Sequence, residues 1–252
     1  MNREEKDYIP GIYNYCDRWC EKCGFTANCL LFTQESKIQT HEILHNGDTS
    51  GIEEVFRKDI QKMKDTIEAE DESDENDFLD YDEEEDDEEK SGEYSRRVEK
   101  PHHPVEDLLD EYFVKSNVFL ESLNKKYKFV NTAKDAIKDP VLLKTFDDIE
   151  IVMWYHAFIG AKINRALFDL NDVNNEEDEE IKEIHAFDMN GSAKIGLISI
   201  RRSIDSLNNL HKNLPGYSAE IEENLVLLGK VLNIVEELFP GCMEFTRPGL
   251  DE

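Results

Sequence analysis

Apolar side chains in the second half of this chain return at steps of three and four. One run holds Leu108, Leu109, Tyr112, Phe119, Leu123 and Tyr127, and a second holds Ile149, Val152, Met153, Ile159, Ile163, Leu167 and Leu170. A third contains Leu197, Ile200, Ile204, Leu207 and Leu210, and a fourth Leu225, Leu228, Leu232, Val235 and Phe239. That period lines one face of an α-helix with apolar groups, whereas a strand would alternate at every second position, a pattern almost absent here. Breaks at Asn131-Thr132, Asn171–Asn175 and Pro215-Gly216 separate the runs. The pattern predicts a mainly α fold: an antiparallel four-helix bundle over residues 105–240, with Met153, Trp154, Tyr155 and Phe158 in its core. Gly191-Ser192 and Gly196 interrupt the third helix with poor helix formers. They predict either close helix approach around small residues or a backbone opening for a small ligand beside Lys194.

Ahead of the bundle the pattern weakens. Residues 1–66 hold a knot of cysteines and two helical stretches, Thr26–His45 and Ile52–Thr66, parted by the stop signal Asn46-Gly47-Asp48-Thr49-Ser50-Gly51. Residues 67–104 are dominated by acid: sixteen of the twenty-two residues from Glu68 to Glu89 are Asp or Glu, and none is Lys or Arg. Such a run buries too little apolar surface to offset its ordering entropy, so it reads as a disordered loop or linker, or as an acidic docking segment for a basic partner. Residues 241–252 form a short tail, and Cys242 reads as a partly buried thiol behind the Pro240-Gly241 turn.

Net charge is −29 over 252 residues, and the acidic stretch supplies 16 of those units. The remainder is still acidic, so nucleic acid is not expected as a ligand, because phosphate binding needs clustered Lys and Arg. No apolar run reaches the roughly 20 residues that span a bilayer, and no signal peptide is visible at the start, so membrane association is not expected. Four of the five cysteines are local and one is solitary, unlike a secreted disulfide scaffold, which predicts a reducing, cytoplasmic location.

Those four cysteines carry the most specific chemistry of the chain. Cys16, Cys20, Cys23 and Cys29 lie within fourteen residues as C-x3-C-x2-C-x5-C, and soft donors packed this closely suit one metal centre. Four thiolates serve a [4Fe-4S] cluster or one Zn2+, and the count alone does not separate them. Trp19-Cys20-Glu-Lys-Cys23-Gly-Phe-Thr-Ala-Asn-Cys29-Leu resembles the C-x2-C-x5-C grip on a [4Fe-4S] cluster in endonuclease III-type DNA glycosylases. A similar grip occurs in RecB-like nucleases of CRISPR systems. In both families a further cysteine completes the set from upstream, the part Cys16 would take. The resemblance covers about fifteen residues and implies the cluster, not the glycosylase reaction: the loop precedes the helices here, and Leu214-Pro215-Gly216 is followed by Glu220, Glu222 and Glu223. Cys16, Cys20 and Cys23 also share the C-x3-C-x2-C spacing of radical S-adenosylmethionine enzymes, but a fourth cysteine and the lack of strands point to a closed site. Tyr13, Tyr15, Trp19 and Phe25 interleave with the ligands and would exclude water from the centre, or simply pack a small core.

A broader likeness joins three distant stretches. Gly11-Ile-Tyr-Asn-Tyr-Cys-Asp-Arg-Trp-Cys20, Trp154-Tyr-His-Ala-Phe-Ile-Gly-Ala-Lys162 and Asn190-Gly-Ser-Ala-Lys-Ile-Gly-Leu-Ile-Ser-Ile-Arg-Arg-Ser203 resemble a family of uncharacterised bacterial proteins. That likeness implies that head and bundle belong to one protein type, and nothing about a reaction.

Two weaker constellations remain. His41-Glu42-Ile43-Leu44-His45 fits H-E-x-x-H, but Asn46-Gly47 stops the helix at once, and a third ligand such as Asp65 or Glu68 is not singled out. In the bundle, His156 falls near the apolar stripe of the second helix, and His185 shares a face of the third with Asp188. These three are read as a satisfied polar network or as a polar or metal site of an enzyme. Three functions therefore stand open. One is a metal-binding protein whose [4Fe-4S] cluster is structural or passes electrons to an unknown redox partner. Another is a zinc-clipped adaptor that docks an unknown protein through the acidic stretch. The last is an enzyme built on the bundle residues.

Overall fold

The computed structural model describes residues 8–48, 50–51, 57, 101–127 and 140–251. Five α-helices are defined among them: α1 (Leu30–Leu44), α2 (Pro104–Tyr127), α3 (Pro140–Asn175), α4 (Glu179–Asn213) and α5 (Ser218–Leu238). There is no strand among the described residues. The acidic stretch, the expected Ile52–Thr66 helix apart from residue 57, and the Asn131-Thr132 break lie outside them. The chain divides into two units: Met1–Ile9 with Lys22–Val98, and Pro10–Glu21 with Glu99–Glu252.

In the first unit α1 starts at Cys29, whose sulfur accepts the Phe32 amide at 3.5 Å and serves as the N-cap. It ends where Asn46 (φ 54°) and Gly47 (φ 84°) turn left-handed, the stop read from Asn46-Gly47. No side chain of α1 is fully buried, so the helix presents no closed apolar stripe within this unit.

The second unit is the expected four-helix bundle. α3 and α4 form the largest interface, α5 packs on α4 and on α2, and α2 returns to α3, closing a ring of four. Tyr112, Phe119 and Leu123 of α2 meet Val152, Tyr155, Ile159 and Ile163 of α3, Ile200, Leu207 and Leu210 of α4, and Ile221, Leu228 and Val231 of α5 in one core. Met153 departs from the expectation, with half its surface exposed, because one step around a helix from the buried Val152 turns a side chain about 100° away from the core. α3 also runs through Asn171–Asn175 instead of breaking there. Asn175 donates back to the Asn171 carbonyl at 2.6 Å, and the turn comes at Glu176–Asp178, where Asp178 caps α4 by accepting from the Glu180 and Ile181 amides.

Small residues on α4 serve close approach. A Cβ on Gly196 would stand 2.5 Å from Ile163 Cδ1, and one on Gly191 would stand 2.3 Å from the Tyr15 ring. Lys194 faces no ligand opening: its ammonium donates to the Phe245 carbonyl at 2.6 Å and to Asp251 at 2.7 Å, fastening the C-terminal segment. Cys242 is fully buried beside this segment, behind the left-handed Gly241.

The three stretches that carry the broader likeness meet here. Tyr15 packs edge-on against Phe187 and Phe245, and Trp19 stacks on Trp154 with ring centroids 5.1 Å apart. Asp17 is the hub between them. Its carbonyl accepts from Trp154 Nε1 at 2.9 Å, and its carboxylate accepts from the Tyr155 hydroxyl at 2.7 Å and Arg202 Nη1 at 3.0 Å. Lys162 donates to the Asn14 carbonyl at 3.2 Å, completing the seat of the head segment on α3 and α4.

Candidate functional site

The unit boundary falls inside the cysteine stretch, so Cys16 and Cys20 belong with the bundle and Cys23 and Cys29 with α1. All five cysteines are free thiols. Cys16 follows Tyr15 into the docked head. Arg18 then adopts φ 59°, uncommon for a side-chain-bearing residue, and its amide donates to Cys16 Sγ at 3.4 Å. Burial pushes the Cys16 thiol up, and that Arg18 amide pulls against the shift. The same local bond recurs in the other unit: the Phe25 amide donates to Cys23 Sγ at 3.4 Å, and the Phe32 amide to Cys29 Sγ at 3.5 Å. The sulfurs of Cys16, Cys23 and Cys29 thus each carry a backbone N–H donor from two or three residues further on.

The H-E-x-x-H residues show no metal geometry among the described residues. His41 and His45 sit ring against ring, with centroids 4.2 Å apart, but His41 Nε2 lies 3.0 Å from the Ser50 carbonyl. A carbonyl only accepts, so that nitrogen holds the proton and has no lone pair for a metal. Asp65 and Glu68 lie outside the described residues.

The bundle residues separate. His156 is half-buried, with its ring parallel to Phe113 at 5.4 Å and its Nδ1 2.6 Å from the Met153 carbonyl one turn back. At 1.5 Å rise per residue it stands about 20 Å along α3 from the neighbourhood of His185. His185 and Asp188 do share one face of α4, each with a partner on α3. His185 Nδ1 is 3.9 Å from Asp172 Oδ2, and Asp188 Oδ2 accepts from Arg165 Nη2 at 3.3 Å. The Tyr15 hydroxyl donates to the other oxygen of Asp188, tying the head to the same place.

Two acids that the sequence reading did not single out complete this neighbourhood. Asp169 and Asp172 are one turn apart on α3, and with His185 they form the only group of three or more His, Cys, Asp or Glu residues, among those described, whose ligand atoms all lie within 4.8 Å. Asp169 is 7 % exposed, and its Oδ2 has no hydrogen-bond partner. Arg165 Nε stands 4.0 Å away, beyond hydrogen-bond reach. Burial raises the Asp169 carboxyl to about 6; Arg165 and His185 oppose the rise, and the charges of Asp188 and Asp172 add to it. The available signal was phase: steps of three from Ile163 through Ala166 arrive at Asp169, an acid in a core-facing position.

Comparison of the chain with protein-family models, curated proteins and solved structures finds no match.

Proposed function

We propose that this is a metal-binding helical protein in which Cys16, Cys20, Cys23 and Cys29 hold a [4Fe-4S] cluster in a structural or electron-transfer role. The supporting observation is the set of backbone amides aimed at Cys16, Cys23 and Cys29. Hydrogen bonds to sulfur stabilise it as a thiolate ligand and tune the potential of a cluster. Four free thiols in fourteen residues otherwise invite oxidation, and none is paired as a cystine. The choice of a cluster over a single Zn2+ rests on the C-x3-C-x2-C-x5-C spacing, whose last three members resemble the loop that grips a [4Fe-4S] cluster. When bound, the cluster supplies a one-electron redox couple or a cross-link; the chain's own contribution is the four thiolates and the amide donors to Cys16, Cys23 and Cys29.

Anaerobic purification of the full chain, followed by iron and acid-labile sulfide analysis, tests the assignment. The expected result is a brown protein with about four irons and four sulfides per chain, lost in Cys20→Ser and Cys23→Ser variants. A colourless protein holding one zinc would replace it with the zinc-clip reading. Iron that persists in both variants would remove the cysteines from the site altogether.

A further inference from the structure

The α3–α4 hairpin carries a second constellation, independent of the cysteines. We infer that Asp169, Asp172 and His185 form a binding site for a divalent first-row transition cation, beside the turn that joins the two helices.

Three observations support it. The ligand atoms of the three side chains already lie within 4.8 Å of one another, and they come from two helices that a three-residue turn holds in fixed register. Asp169 is buried with one carboxylate oxygen unbonded, and it belongs to this group. A buried carboxylate oxygen without a partner is costly, so native structures rarely keep one without an ion, a proton or a water to satisfy it. The local charge also favours a cation: three carboxylates, Asp169, Asp172 and Asp188, stand against one guanidinium, Arg165, which lies 3.3 Å from Asp188 and 4.0 Å from Asp169.

The donor set narrows the ion. Two carboxylate oxygens and an imidazole nitrogen suit Mn2+, Fe2+, Co2+ or Zn2+ better than Ca2+, which prefers oxygen throughout. Three protein donors are fewer than such ions take, so water or a small ligand would complete the shell. Asp188 supports the set from outside it: held by Tyr15 and Arg165, it fixes the face of α4 from which His185 projects.

Mn2+ is the discriminating probe, because it prefers oxygen and nitrogen donors and leaves thiolates aside. The chelator-treated full chain is titrated with MnCl2, and free Mn2+ is followed by its electron paramagnetic resonance signal. The same titration is run on Asp169→Asn and Asp172→Asn, each with the acidic stretch intact. The expected result is one tight Mn2+ equivalent in the parent that weakens tenfold or more in each variant, with a melting temperature that rises on Mn2+ addition only in the parent. A structural role alone would leave Mn2+ binding equal in all three proteins, and that equality would overturn the proposal. A variant that fails to fold is replaced by His185→Gln, which keeps a polar side chain at that position and is judged on the same readout. Iron and sulfide on the cysteines are measured separately, so loss of one site leaves the other assignment standing.

Discussion

Gly191 shows how a single missing methyl group places the head segment. Tyr15 lies against the bare α-carbon and is confined there by Phe187, Phe245 and its bond to Asp188, so the ring has no room to withdraw from a new Cβ at 2.3 Å. Gly191→Ala is therefore expected to destabilise the fold by about 1–3 kcal/mol in urea unfolding, even though alanine is the better helix former. Gly229, inside α5 with nothing within 4 Å of its missing Cβ, is the control. There the same change should stabilise by about 0.5–1 kcal/mol. Both glycines look alike in the sequence, because the neighbour that distinguishes them is a tyrosine 176 positions earlier.

At the level of elements, the turn between α3 and α4 sets which side chains face each other. Asp178 accepts two amides of the first turn of α4, and its replacement by alanine should cost about 1 kcal/mol of stability. The measurement is chemical denaturation of Asp178→Ala without added metal. The helices themselves were readable, since a stripe such as Ile159, Ile163 and Ala166 declares both period and buried face. Helix ends were less so: the asparagines of 171–175 are poor helix formers, yet the α3 backbone continues through them because Asn175 bonds back to Asn171. The pairing of Asp169 and Asp172 with His185 was not readable either. Periodicity reports which way a side chain points, while the partner across the interface depends on the register of two helices. For that reason the sequence does not separate His156 from His185, and the structure sets them apart by length along α3.

Across the whole second unit, distant parts of the chain are fastened by charge as well as by packing. Asp251 closes the C-terminal segment on α4; hydrogen bonds from Arg247, and then from Lys194, hold its carboxyl well below the usual carboxylate range. A carboxyl with a depressed folded-state pKa contributes stability that is complete above its unfolded value, near pH 4, and is lost as pH falls below it. The melting temperature of the parent should therefore exceed that of Asp251→Asn at pH 7, and the gap should narrow steadily below about pH 4. The same fastening places Phe245 on Tyr15, so the tail and the head lock one another.

The seat of the head has a consequence for synthesis. Residue 15 leaves the ribosome early, but Asp188, its partner 173 positions later, does not yet exist. At 5–20 residues per second the segment waits roughly 10–35 s for a place to dock. During that interval the thiols of Cys16 and Cys20 lack the bundle that half-buries them in the folded unit.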